Sequence, residues 1–160
     1  RVPTDTPPGN NAPHAERTSE LLAGMGLTAE KHPVPQAAVQ AYGLQSITNL
    51  IVRRPYAAGG PVISLNAHGD VVPPGEGWTH GPYSGEVVDG RLYGRASAVS
   101  KSDFATFTFA TRALESLQAG HGDFRPGQRI AEIQVFDWQV VTSPAQAVLA
   151  QIEGHPVQPG

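Results

Sequence analysis

The sequence contains no cysteine. That absence removes disulfides, thiolate metal sites and thiol nucleophiles together, so any metal would rest on the six histidines and 14 acidic residues. Charge is sparse: 11 Lys and Arg against 14 Asp and Glu leave a formal net charge of -3. With no Lys/Arg cluster to neutralise phosphates, nucleic acid is not an expected partner. No apolar run approaches the roughly 18 residues that cross a bilayer, so no membrane partner is expected either. The opening RVPTDTPPGNNAP lacks the basic stretch and apolar core of a leader peptide, which points to the cytoplasm. It also starts on Arg1 and not on methionine, the mark of a processed, trimmed or partial sequence.

What is abundant is turn chemistry, with 18 Gly and 15 Pro among 160 residues. A chain of this length carries one domain with a real core. The segment Pro13 to Met25 places Leu21, Leu22 and Met25 on one helical face, with Pro13 suited to the first turn and Gly24/Gly26 as a stop. SITNLIVRR (46–54) and PVISLNA (61–67) are rich in β-branched residues and flank PYAAGG, which predicts two strands, a hairpin or neighbours in one sheet. Asp89-Gly90 between Val87-Val88 and Leu92-Tyr93 predicts a tight hairpin. From Ser102 to Gln118, Phe104, Phe107, Thr111, Leu114 and Leu117 recur at helical spacing, with Ser102 as N-cap. RIAEIQVF (129–136) reads as a strand, Ser143 to Ile152 as a short helix, and HPVQPG as a frayed tail. The order helix, strands, hairpin, helix, strand, helix predicts an α/β fold, a mixed sheet flanked by helices.

The stretch NAHGDVVPPGEGW (66–78) ends an apolar strand with His68 and Asp70. Residues i and i+2 of a strand project to one side, so imidazole and carboxylate can lie together where the strand becomes a loop. That arrangement suits a metal-bound imidazole oriented by an acid. The plainer alternative is a capping aspartate beside a surface histidine, and the pair alone leaves both open.

The wider segment NAHGDVVPPGEGWTHGPYSGEVVDGRLYGR resembles the metal-binding core of the M20 family of metallopeptidases, whose members include deacetylases, desuccinylases and aminoacylases. The likeness rests on the apolar strand, H-G-D-V-V-P, G-x-W with an aromatic and a proline after it, the V-x-D-G-x-L-Y-G-R hairpin and a following lysine-containing turn. It covers roughly Val2 to Leu117. It implies part of a zinc-peptidase-like catalytic domain, with residues 1–160 a single, incomplete unit. It also implies zinc, or cobalt or another divalent ion, and a small N-acyl amino acid or peptide as substrate. His68 would ligate the metal and Asp70 would orient and polarise its imidazole.

Departures from the family pattern are equally specific. The family's G-R-G-x-x-D-x-K-G segment supplies an aspartate that bridges two metals, but here it reads GRASAVSKSD (94–103). Val99 stands at the bridging position, while Lys101 keeps its place. Asp103, four residues on, is the candidate replacement ligand; the competing reading is an acid that favours the first turn of a helix. The family's adjacent glutamates are missing from AEIQVFDWQVV (131–141), where Asp137 is the nearest stand-in for a general base. Arg95, which follows the hairpin in the family pattern, is expected to steady the loop that carries the metal bridge. His14, His32, His80, His121 and His155 read as structural or surface residues. Three functions remain: an amide hydrolase needing residues beyond this chain, a divergent non-catalytic binding domain, or a truncated product. The sequence does not set the oligomeric state.

Overall fold

A computed structural model describes residues 2–55, 62–99, 101–120 and 132–137. The expected helix from Ser143 to Ile152, the tail, and His121 and His155 lie outside the described residues.

Helix α1 spans Ala12–Gly24, with Pro13 in its first turn. Its start is satisfied by a distant residue: Ser46 Oγ accepts from the Asn11 and Ala12 N–H groups at 3.1 and 3.0 Å. That hydroxyl in turn donates to Asn10 Oδ1 at 2.7 Å. Helix N–H groups lacking an internal acceptor need such a partner. At the other end Gly26, at φ 79°, reverses the chain, and the Leu27 N–H closes on the Leu22 carbonyl at 2.9 Å. Leu22 and Leu27 then pack with Val52. Leu21 was expected on the same face but is 50% exposed. Adjacent helical residues differ by about 100° in direction, so burying Leu22 turns Leu21 outward.

Two elements carry little sequence signal. Strand β1 (Ala29–Pro33) is almost wholly polar, and helix α2 (Gln36–Ala41) is only six residues long. Both are held by their neighbours. β1 pairs antiparallel with β2 (Thr48–Pro55), Glu30 opposite Ile51, and Val39 of α2 packs on Ile47. The first five residues of β2 are buried without alternation, as expected of a strand covered on both faces.

The strands β3 (Val62–Ala67) and β2 share a sheet but are not neighbours: its order is β1-β2-β6-β3, with β6 at Glu132–Asp137. The expected hairpin or adjacent pairing is thus corrected. β6 runs antiparallel to β2 and parallel to β3. A parallel pair requires a crossover connection, commonly a helix, and α3 (Lys101–Gly120) lies between β3 and β6 in the chain and contacts both. A separate two-stranded ribbon pairs β4 (Glu86–Val88) with β5 (Arg91–Tyr93). Asp89 and Gly90 turn it at φ 50° and 74°, the double left-handed turn that suits hairpin twist.

Ser102 lies inside α3 and is not its cap, because the helix already includes Lys101. Thr108 and Thr111 are its buried residues within the described side chains. Their hydroxyls donate to the carbonyls four residues back, at 2.6 and 2.8 Å, which satisfies them in an apolar setting. Phe104 meets His14 of α1 edge-on at 5.6 Å between ring centres.

Burial at that contact, and then the charges of Lys101 and the N-terminus, push the His14 imidazole down to about 4. Its folded value lies below its unfolded one, so the folded state binds fewer protons between these values. Stability should be flat above about pH 6.5 and fall as pH drops toward 4, by about 2 kcal/mol between pH 7 and 5. Urea midpoints at the two pH values measure this, and His14→Phe should shrink the difference. An equal pH loss in that variant would contradict it.

Candidate metal centre

β3 closes on buried Ala67, and the next three residues leave the sheet as a loop. His68 Nδ1 lies 2.9 Å from Asp70 Oδ1 and 3.2 Å from the Asp70 carbonyl oxygen. With Nδ1–H donating to this acid, the lone pair is on Nε2, available to a ligand. A carboxylate behind an imidazole fixes its tautomer and raises its basicity. Both side chains are partly open, 43% for His68 and 25% for Asp70.

The loop is tied down by the first residues of the chain. Thr4 Oγ1 donates to the Gly69 carbonyl at 2.5 Å. The Val71 N–H donates to the Thr4 carbonyl at 3.1 Å, and the Thr6 N–H to the Val71 carbonyl at 2.8 Å. Between them Asp5 accepts the Tyr83 hydroxyl on its carboxylate. Burial, followed by this bond and the negative charge of Asp5, pushes the Tyr83 phenol up to about 12. Trp78 braces the Pro-Pro turn by donating from Nε1 to the Pro74 carbonyl at 2.8 Å.

Arg95 joins the hairpin to this loop. Its backbone N–H donates to the Pro82 carbonyl at 2.6 Å, and its Nε to the Val72 carbonyl at 2.8 Å. The following turn brings Val99 round to the same side. A cavity of about 260 Å³ is lined by His68, Asp70, Val71, Val72, Arg95, Ala96 and Val99. Lys101 Nζ donates to the Val2 carbonyl at 3.2 Å, so this lysine also ties the N-terminal segment.

Of the expected site residues, His68 and Asp70 come together. Asp103 lies half-buried in the first turn of α3 and is not among the residues lining the cavity. Asp137 is the register partner of Ala67 at the end of the parallel pair. His80 anchors the hairpin, with Nδ1 2.9 Å from Glu86 Oε2 and its ring 4.0 Å from that of Tyr93. His32 pairs with Glu30 at 3.2 Å on the surface. Thr4, Asp5 and Tyr83 went unnoticed in the sequence because no periodicity links residues so far apart.

His68 fits a divalent ion as one donor. Among the described residues no three His, Cys, Asp or Glu side chains come together to hold a metal, so a bridged pair of ions is not matched.

Residues 64–125 match peptidase family M20/M25/M40. The succinyl-diaminopimelate desuccinylase of Methylorubrum populi is 39% identical over 113 residues, which cover 69% of this chain and 27% of that protein. The enzyme of the same name from Nitrobacter hamburgensis is 49% identical over 88 residues, 54% of this chain and 21% of that protein. Human carnosine dipeptidase 1 matches in structure with a TM-score of 0.57 at 21% identity, over 87% of this chain and 28% of that one. That likeness shows the fold, part of a zinc-peptidase-like α/β domain. These matches support part of an M20 family metallopeptidase, with residues 64–125 carrying the family match. The chain spans about a quarter of the length of these relatives.

Ala96 stands where the family pattern has glycine, yet its φ is 61°. A side chain costs about 1 kcal/mol in that left-handed region. Ala96→Gly should therefore raise stability by about 1 kcal/mol, read as a higher urea midpoint; an unchanged or lower midpoint would show that no strain sits there.

Proposed function

We propose that residues 1–160 form part of the catalytic domain of a metal-dependent hydrolase that cleaves the amide bond of N-acyl amino acids or small peptides. The observation that carries this reading is the 2.9 Å contact of His68 Nδ1 with Asp70, within a segment that matches the family. The desuccinylase relatives make N-succinyl amino acids the first substrates to try.

When bound, zinc, cobalt or a similar ion supplies Lewis-acid polarisation of the scissile carbonyl. His68 would hold such an ion through Nε2, with Asp70 keeping the proton on Nδ1 and fixing the ring. Val71, Val72 and Val99 form the apolar side of the cavity. Arg95 holds the backbone of Val72, so the apolar wall and the imidazole keep their separation. Asp103 is the carboxylate proposed to complete the site, reached by a shift of the turn before α3. No described side chain lining the cavity is free to act as base, and Asp137, at the end of β6, is the nearest acid in register.

The test is hydrolysis of N-succinyl and N-acetyl amino acids with added zinc or cobalt. Cleavage should stop on chelation and fall at least about a hundredfold in His68→Ala, while Asp70→Asn should weaken metal affinity by about 10–100-fold. Asp103→Ala should weaken it as well. Metal-dependent cleavage that survives His68→Ala would refute the assignment, and no cleavage together with no metal uptake would favour a non-catalytic binding domain.

A further inference from the structure

A second, smaller cavity of about 90 Å³ lies at the base of the hairpin, walled by β5 on one side and by the first residue of α3 on another. Arg95 and Lys101 both line it, together with Ser97, and no aspartate or glutamate does. We infer that this cavity is a binding site for a doubly charged oxyanion of phosphate size, either free or at the end of a larger molecule. The inference needs no metal and does not rest on the proposed function.

Two cations brought to one cavity repel each other, more strongly as the surroundings lose water. Arg95 and Lys101 are both half-buried, so a counter-charge between them is favourable. The acids nearby in the fold do not supply it. Asp5 accepts the Tyr83 hydroxyl, and Glu86 Oε2 lies 2.9 Å from His80 Nδ1. Asp103, two residues along α3 from Lys101, is outside the lining. A dianion matches the charge of both cations, whereas a carboxylate matches only one of them. Phosphate carries close to two charges near neutral pH.

The donors suit such a guest. Arg95 commits its Nε–H to the Val72 carbonyl at 2.8 Å, which fixes the plane of the guanidinium and leaves the paired Nη groups, a fork that matches two oxygens of one anion. Lys101 is held beside the cavity by its bond to the Val2 carbonyl at 3.2 Å and contributes a point charge, as lysine does in phosphate sites. Ser97 Oγ is 3.5 Å from the Leu92 carbonyl, at the outer limit of a hydrogen bond, so the hydroxyl can turn to an anion at little cost. Size agrees as well. One water takes up roughly 30 Å³ in the liquid, so the cavity has room for a single phosphate-sized group and does not enclose a larger one.

The experiment is a titration of the isotopically labelled full chain with sodium phosphate at constant ionic strength, followed by the amide resonances of Arg95, Ser97 and Lys101 and by the Arg95 Nε–H. These should move along one saturable curve at millimolar phosphate, and acetate should bind at least about tenfold more weakly. Lys101→Gln should weaken phosphate by at least about tenfold. Because that change also loosens the tie to Val2, Ser97→Asp is the second test: it sets a carboxylate in the cavity, and should abolish the response to phosphate while raising the urea midpoint measured without phosphate. O-phosphoserine binding as tightly as inorganic phosphate would assign the site to a phosphoryl group on a larger molecule, and weaker binding would assign it to the free ion. Shifts that stay linear with phosphate, that acetate reproduces at equal concentration, or that persist unchanged in both variants would overturn the inference.

Discussion

Two strands that run in the same direction cannot be joined by a tight turn, and β3 and β6 run in the same direction. The chain must therefore return from the end of β3 to the level of its start, where β6 begins beside it. The His68 loop, the hairpin, the Val99 turn and helix α3 all lie in that connection. Because the loop departs from the carboxyl end of a parallel pair, it sits where open α/β sheets place their ligands. The parallel pairing also brings Asp137 to the level of Ala67, one residue before His68.

Local chemistry was the most legible part of the sequence. Asp89-Gly90 specified its turn because only a few residues accept two left-handed positions in a row, and Pro13 and Gly26 marked the ends of α1 for similar reasons. Pairing between distant strands was not legible. SITNLIVRR and PVISLNA both read as strands, but the residues that separate them in the sheet come some 65 positions after β3 and leave no trace in either. β1 was invisible for another reason. Its residues are Ala, Glu, Lys, His and Pro; of these Ala29 packs against the core, and the strand is otherwise held by pairing with β2 and by surface ion pairs such as Arg53 with Glu30 at 3.1 Å.

The site divides along the same line. His68 and Asp70 were readable because two-residue spacing at a strand end puts both groups on one side. Arg95 was readable as a clamp only through the family pattern, and Thr4, Asp5 and Tyr83 not at all. What pattern and structure agree on is an asymmetry: the imidazole and its orienting acid are in place, the turn opposite keeps its path, and the side chain that turn presents is a valine.

Ser46 is 34 residues beyond the helix start it serves, and Gly69 is 65 residues beyond the threonine that bonds to it. During synthesis the first helix therefore leaves the ribosome without its acceptor, and the opening segment waits longer still for the loop it will tie. Folding of this region thus waits on contacts made later in the chain, and the central strands wait longer still, since β2 and β3 gain β6 only with residues 132–137.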